Sequence, residues 1–317
     1  MKTAVIKQEH ENDADDNKST NEIKAKIRRA KQNANDLHLS EIVAKTTSKL
    51  KLKAIEACNE NGASIWLTVL PIKRHGFYLE KQAFWDAIRI RYDIPLERLP
   101  TTCVCGMSFD IQHAFSCPKG GLVINRHNEL RDTTAEILKE VSPVVVIEPS
   151  LTPLTGEQLD YKSSNKADHA RADVSVKDFW IKGQVAFSDI RVFNPLAKCH
   201  LSQSLSAVHR KNEMEKKRQY NQRILQVEHG SFTPLVFSCF GGMSRECSRF
   251  FSHASEHLAE KRNLSKSSVS AFVKARLNFA LLRSCLLCIR GSRTSSKIDQ
   301  LNETDLSLLV HESKIEY

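Results

Sequence analysis

Apolar positions in the second half of the chain switch between the 3.6-residue spacing of helices and the short β-branched runs of strands. Residues 128–141 have helical spacing, whereas residues 144–147 form a β-branched run that ends before a Glu-Pro pair. The predicted elements are, in order, a helix at 128–141, strands at 144–147, 172–176 and 185–193, a helix at 202–227 and a strand at 234–239. The pattern therefore predicts the order α, β, β, β, α, β within residues 126–262.

The segments on either side of this region have simpler patterns. Residues 1–21 contain almost no large apolar side chains and are predicted to be disordered. Residues 22–100 are predicted to be a helical segment, and the cysteine-rich stretch at residues 101–125 follows it. Further helices are predicted at 245–261 and 268–289, so that residues 263–317 supply a C-terminal helix and a tail.

Composition narrows the class of partner. The net charge is +10 and the isoelectric point is about 9.1, which indicates a polyanionic partner. The N-terminus is polar rather than signal-like, and no apolar run approaches the roughly 20 residues of a membrane span. The nine cysteines lack the regular spacing of a secreted disulfide framework. We therefore expect a protein of a reducing compartment that binds nucleic acid and not a membrane.

Three cysteines and a histidine have the spacing of a structural zinc site. Cys103, Cys105, His113 and Cys117 form the pattern C-x-C-x7-H-x3-C, a complete tetrahedral ligand set for Zn²⁺. The first two cysteines are closer in sequence than in common zinc motifs, and Gly106 suits a tight turn after them. The alternative is a group of buried free cysteines near a core histidine. We predict a closed, structural zinc site.

Two aspartates are candidates for a divalent-cation site. If the strands at 172–176 and 185–193 form a hairpin centred on Ile181, Asp173 and Asp189 lie opposite each other, roughly 5 Å apart at Cβ. Both have apolar neighbours, where a carboxylate is costly unless it binds a cation. Mg²⁺ or Mn²⁺ bound there would activate a water for phosphodiester hydrolysis. The alternative is a structural ion pair between Asp189 and Arg171 or Arg191.

Other candidate residues surround this pair. Glu148 is a possible third metal ligand, or simply a solvated carboxylate at a strand end. Lys216 and Tyr220 are four residues apart on the long helix, so they could hold the attacking water and the phosphate together. The alternative for that stretch is a solvated helix face. The residues predicted to contact nucleic acid are Arg126, His127, Arg131, Arg171, Arg191 and Lys217.

Several stretches together resemble the carboxyl-terminal region of non-LTR retrotransposon (LINE-type) proteins that carry a restriction-like endonuclease. They are CVCG at 103–106, HAFSCPKGG at 113–121, RHNELRD at 126–132, RADV at 171–174, FSDIRVFNP at 187–195 and EKKRQY at 215–220. The resemblance implies a PD-(D/E)XK restriction-endonuclease-like core, preceded by a helical segment and a CCHC zinc knuckle. It also implies a nuclear enzyme that nicks duplex DNA to prime reverse transcription of element RNA.

The chain departs from that family's pattern at two positions in the nuclease motif. Ala172 stands where proline usually precedes the first acid, and Arg191 stands where a lysine usually follows the second. Arginine cannot give up a proton, so Lys216 would have to supply the catalytic lysine. No paired-aspartate polymerase motif occurs, which indicates a fragment, a decayed copy or a host protein derived from an element.

Three functions are compatible with these patterns. The first is a Mg²⁺-dependent endonuclease, and the second is a zinc-containing module that binds nucleic acid but has lost cleavage. The third, an interaction protein without a nucleic-acid role, leaves the charge of +10 and the acidic pair unexplained.

Overall fold

A four-stranded sheet lies at the centre of the computed structural model, which describes the backbone of residues 2–293 and the side chains of residues 22–293. Its strands are β1 (Val145–Ile147), β2 (Val174–Lys177), β3 (Val185–Phe193) and β4 (Ser231–Ser238), in the spatial order β1-β2-β3-β4. The first three strands are antiparallel to their neighbours, and β4 runs parallel to β3. The sheet is therefore mixed.

Within residues 2–293, eight α-helices accompany the sheet. They are α1 (Lys2–Lys45), α2 (Lys49–Cys58), α3 (Lys81–Arg91), α4 (Ile111–Ala114), α5 (Leu122–Val141), α6 (Leu205–Gln226), α7 (Arg245–Arg262) and α8 (Lys266–Arg290). Ser204, Ser244 and Ser265 begin α6, α7 and α8, and each accepts a hydrogen bond from the backbone N–H three residues later. From α5 to β4 the order is α, β, β, β, α, β, as the sequence predicts.

The alternation of side chains along β3 divides the core between two layers of helices. Ile190 belongs to the large apolar cluster that contains residues of α5, α7 and α8. Phe187 packs with Ile224 of α6, and Phe193 packs with Val208 of the same helix. Because side chains alternate along a strand, Asp189 lies on the α6 side of the sheet with the two phenylalanines.

The core crosses the segment boundaries drawn from the sequence. Trp66 and Phe77 from the helical segment, Phe115 from the cysteine-rich stretch and Leu281 from α8 belong to one apolar cluster. Segments predicted as separate therefore pack into one body, because each buries apolar side chains that it could not cover alone. Residues 294–317 of the predicted tail lie outside the described residues.

The N-terminal prediction was wrong over residues 2–21. The sequence predicts disorder there, but α1 begins at Lys2 and is continuous to Lys45. This stretch contains neither proline nor glycine, so no residue interrupts helical hydrogen bonding. Within the described part of the chain, none of the helices is both long and apolar enough to cross a membrane.

Candidate functional site

The four predicted zinc ligands converge. The ligand atoms of Cys103, Cys105, His113 and Cys117 all lie within 4.8 Å of one another. The Cys103 and Cys117 sulfurs are 3.9 Å apart, and Cys105 Sγ is 3.3 Å from His113 Nε2. Ordinary zinc bond lengths in a tetrahedron give edges of about 3.8 Å between two sulfurs and about 3.5 Å between sulfur and nitrogen. The group can therefore hold a metal such as zinc.

Local backbone geometry builds this cluster. Cys103 N–H donates to the Met107 carbonyl, and Gly106 N–H donates to the Cys103 carbonyl, which closes a tight turn around Cys105. Gly106 has φ of +86°, a conformation that side-chain-bearing residues rarely adopt. Asp110 caps α4 by accepting from the His113 N–H, so the imidazole is fixed on one short helical turn.

The thiols in the cluster have perturbed pKa values. A hydrogen bond from the Cys105 backbone lowers the pKa of Cys103 to about 6. Burial raises the pKa of Cys117 above its ordinary value. Thiolates are the form that binds zinc, so the lowered pKa of Cys103 favours the metal-binding form and the raised pKa of Cys117 opposes it.

Arg126 joins this Cys/His stretch to the core instead of facing nucleic acid. Its guanidinium is buried, donates to the Phe115 carbonyl at 3.1 Å and lies 3.5 Å from Cys239 Sγ. The group also lies over the Phe115 ring at 5.9 Å. The predicted contact between Arg126 and nucleic acid is therefore wrong, because only 3% of the residue is exposed.

The two candidate aspartates lie across adjacent strands. Val174 of β2 pairs with Ser188 of β3 at the end of the ladder, and Asp173 and Asp189 are the next residues beyond that pair. The Asp173 N–H donates to the Ser188 carbonyl at 3.1 Å. This is the register predicted from their equal distances to Ile181. Asp173 extends its carboxylate across the pair, where Oδ2 accepts a hydrogen bond from the Ile190 N–H at 2.6 Å.

Each aspartate has a cationic or protonatable partner. Lys216 Nζ of α6 donates to both carboxylate oxygens of Asp189, at 2.9 Å and 2.7 Å. His127 Nε2 of α5 lies 3.1 Å from Asp173 Oδ1. Asp189 is thus in an ion pair, as one alternative reading of the sequence had it, but its partner is Lys216 and neither Arg171 nor Arg191.

The surroundings of Asp173 and Asp189 shift the pKa values of the two carboxyl groups in opposite directions. Burial, and then the negative charge of Asp173, raise the pKa of Asp189 to about 6. Burial acts in the same sense on Asp173, but its contacts with His127 and the Ile190 amide outweigh it and lower the pKa. One carboxylate is therefore ionised well below neutrality, and the other takes up a proton near pH 6.

Tyr220 lies one helical turn beyond Lys216. The lysine Nζ is 5.7 Å from the centre of the tyrosine ring, and the ring packs against Phe232 of β4. Burial, followed by the charge of Asp189, raises the pKa of Tyr220 to about 12. The hydroxyl therefore stays protonated at neutral pH and can donate a hydrogen bond.

Glu148 is engaged by arginines. Its carboxylate forms ion pairs with Arg131 and Arg171, the latter at 3.0 Å. Among the described residues, the Cys/His cluster is the one group of three or more His, Cys, Asp or Glu side chains close enough to share a metal ion. Glu148 therefore does not join the two aspartates as the third ligand that the sequence predicts.

The other basic residues predicted to contact nucleic acid differ in exposure and in whether an acidic partner neutralises them. Arg191 pairs with Glu215 at 3.3 Å and Lys217 pairs with Glu246 at 2.5 Å, so both are partly neutralised. Arg171 remains more than half exposed despite its contact with Glu148. The two consecutive lysines of α6 therefore have different partners, because Lys216 contacts Asp189 and Lys217 contacts Glu246.

Sequence reasoning missed Arg223, which holds the loop beside the acidic pair. Its buried guanidinium donates to the carbonyls of Asn165, Ala167 and Thr152, at 2.8 to 2.9 Å. It occurs in an ordinary charged helical stretch, so no sequence signal distinguishes it from a solvated arginine. The same loop is also bound to α6 through the Asn165 N–H, which donates to the Gln219 carbonyl close to Lys216 and Tyr220.

Comparison with known proteins adds no assignment to this geometry. No protein-family model matches the chain, and no curated protein matches it either. Function is therefore inferred from the two groups of side chains themselves. One is the Cys3His cluster that precedes α5 in the chain, and the other is the carboxylate pair with Lys216 beside β3.

Proposed function

We propose that the protein is a metal-dependent DNA endonuclease with a PD-(D/E)XK restriction-endonuclease-like core, similar to that of non-LTR retrotransposon proteins. The observation that supports this most is the cross-strand pair Asp173 and Asp189 with Lys216 Nζ 2.7 Å from the second carboxylate. Duplex DNA is the proposed substrate and the nucleus the proposed location. Element RNA is a further proposed partner.

The residues at this site fit Mg²⁺ or Mn²⁺. Asp173 and Asp189 offer oxygen ligands. Burial and the charge of Asp173 raise the pKa of Asp189, so a bound divalent cation would stabilise its ionised form. A bound divalent ion would polarise the scissile phosphate and lower the pKa of the attacking water. Two carboxylates are fewer ligands than a closed site would have, which leaves positions for water and phosphate oxygens.

The chain's own side chains have distinct tasks in this proposal. The ammonium of Lys216 donates to Asp189 and so lies next to the proposed metal position. From there it can orient a water or offset negative charge on the phosphate. His127 holds Asp173 in place from α5. Tyr220, kept protonated by its raised pKa, can donate to a phosphate oxygen. Arg171, more than half exposed, is available to the DNA backbone.

A second candidate function is a zinc-containing nucleic-acid-binding module that does not cut. It is favoured by the ion pairs that already occupy the acidic groups, namely Lys216 with Asp189 and two arginines with Glu148. In such a module these carboxylates would stabilise the fold and need no divalent cation.

A nicking assay on supercoiled plasmid separates the two functions. Zinc-loaded protein should nick with added Mg²⁺ or Mn²⁺ and not without it, and the control should omit the ion because a strong chelator would also strip zinc. Asp173→Asn and Asp189→Asn should each abolish nicking. Lys216→Ala should slow it, whereas the matched variant Lys217→Ala should change it little because that side chain contacts Glu246.

Binding to the same plasmid fragment provides the control. The aspartate variants should keep their affinity for DNA, since binding depends on basic side chains. Wild-type protein that binds DNA but never cuts it with any divalent ion would support the second function. Nicking that survives both aspartate substitutions would show that the site is wrongly placed.

A further inference from the structure

A basic recess lies beside β4, and neither aspartate of the carboxylate pair lines it. Its volume is about 420 Å³, and it is lined by Trp180, Lys217, Thr233, Arg245, Glu246 and Arg249. These residues come from the β2–β3 connection, α6, β4 and α7. The β4 strand is the edge of the described sheet, so the recess opens at that edge.

The charges in the recess are unbalanced. Lys217 and Glu246 neutralise each other through their ion pair at 2.5 Å. Arg245 and Arg249 are exposed, and within residues 22–293 neither guanidinium forms a hydrogen bond or an ion pair. They are four residues apart on α7, so both guanidinium groups lie on one face of the helix. The recess therefore has two free cations that can bind a phosphate.

An indole forms the wall of the same recess. Trp180 is half-buried, and its ring stacks on His253 with centroids 4.5 Å apart and planes 13° apart. Phe179 and Phe250 contact the indole edge-on at 4.9 Å and 6.1 Å. These neighbours hold the ring at a defined angle, which reduces the entropy that a stacking ligand would have to remove.

We propose that this recess binds one nucleotide of a single-stranded nucleic acid, with the base on Trp180 and the adjoining phosphates at Arg245 and Arg249. An aromatic face beside free cations is the combination that single strands use, because every base has a π-face and every linkage a negative charge. A duplex would offer the phosphates but keep its bases stacked inside. The inference rests on the proposed function in so far as both take nucleic acid as ligand.

The recess is positioned to act together with the carboxylate pair. Lys216 contacts Asp189 and the next residue, Lys217, lines the recess, so the two sites lie on adjacent sides of α6. Consecutive residues on a helix point about 100° apart. A strand opened next to the cleavage site could therefore pass over α6 and place an unpaired nucleotide in the recess.

Tryptophan fluorescence tests the stacking contact directly. Zinc-loaded protein without Mg²⁺ is titrated with a short oligothymidylate, and its emission should be quenched as the base stacks. Trp180→Phe should lose most of the quenching. The control is Trp85→Phe, since Trp85 is a second solvent-accessible tryptophan, 52% exposed, that lies on α3 outside the recess. Quenching that disappears with Trp85 and persists without Trp180 would overturn the proposal.

Affinity tests the phosphate contacts. The double variant Arg245→Ala/Arg249→Ala should bind the single strand at least about tenfold more weakly, with a salt dependence reduced by one to two phosphate contacts. The double variant Lys24→Ala/Arg28→Ala removes two exposed charges at the same spacing on α1 and should change affinity little. Equal losses in the two variants would show that net charge alone is responsible, and the recess would have no special role.

The outcome is independent of cleavage. Binding is measured without Mg²⁺ and repeated with Asp189→Asn, so a protein that never nicks can still show the Trp180-dependent quenching. A protein that nicks normally but shows no quenching would overturn the recess proposal and leave the nuclease proposal intact. Thermal unfolding of each variant checks that the Phe179 and Phe250 packing is retained.

Discussion

The raised pKa of Asp189 makes a quantitative prediction about stability. Its ordinary value is 3.8 and its value in the folded protein is about 6, so the native state binds a proton more tightly than the unfolded chain does. Stability from this group is therefore present at low pH and is lost as pH rises from 3.8 through about 6. The full shift of roughly two units corresponds to about 3 kcal/mol.

The change Asp189→Asn removes this titration. Part of the loss occurs below pH 5, where the unfolded carboxyl already ionises, and about 1 kcal/mol remains between pH 5 and pH 8. Wild-type protein should therefore lose about 1 kcal/mol more unfolding free energy than the variant over that range. The contact with Lys216 is already part of this comparison, because it favours the ionised form of Asp189 and so lowers the wild-type pKa from the value that burial alone would give.

Urea unfolding of zinc-loaded protein at pH 5 and pH 8 measures the difference. Asp168→Asn is the matched control, because Asp168 is an exposed aspartate, and it should follow the wild type. Added Mg²⁺ should restore stability to the wild type at pH 8 and not to Asp189→Asn, since the ion replaces the missing positive charge. Parallel pH profiles for wild type and Asp189→Asn would refute the argument that burial and Asp173 raise this pKa.

Three further predictions concern the rest of the structure. Purified protein should contain about one zinc ion per chain, and metal analysis should show it lost in Cys117→Ser but retained in the exposed-thiol control Cys199→Ser. Arg126→Met should lower the unfolding free energy by about 1–3 kcal/mol, because the buried Phe115 carbonyl loses its donor. DNA affinity should be unchanged, and weaker DNA binding at unchanged stability would contradict the buried position of Arg126. Arg223→Met should strip three carbonyls of their donor and expose the loop of residues 149–171 to limited proteolysis, and an unchanged cleavage pattern would show that other contacts hold the loop.

Local spacing determined much of what the sequence predicted correctly. The distances of Asp173 and Asp189 from Ile181 are equal, and a hairpin centred there can pair them only in the register that the structure has. The C-x-C-x7-H-x3-C spacing likewise brings the four ligand atoms of the Cys/His cluster within 4.8 Å of one another. Both results follow from backbone periodicity over a few residues, which neighbouring sequence specifies.

Tertiary structure alone decided which side chains meet. Arg126 looks like a surface arginine in sequence, yet the packing of α5 against the Cys/His stretch buries it over Phe115. The choice between Lys216 and Lys217 depends on the rotation of α6 over β3, and local sequence does not set that angle. The partners of Glu148 and Arg223 are likewise distant in sequence, so helix packing and not local sequence brings them together. Order and spacing are therefore encoded locally, whereas charge pairing depends on how the helices pack on the sheet.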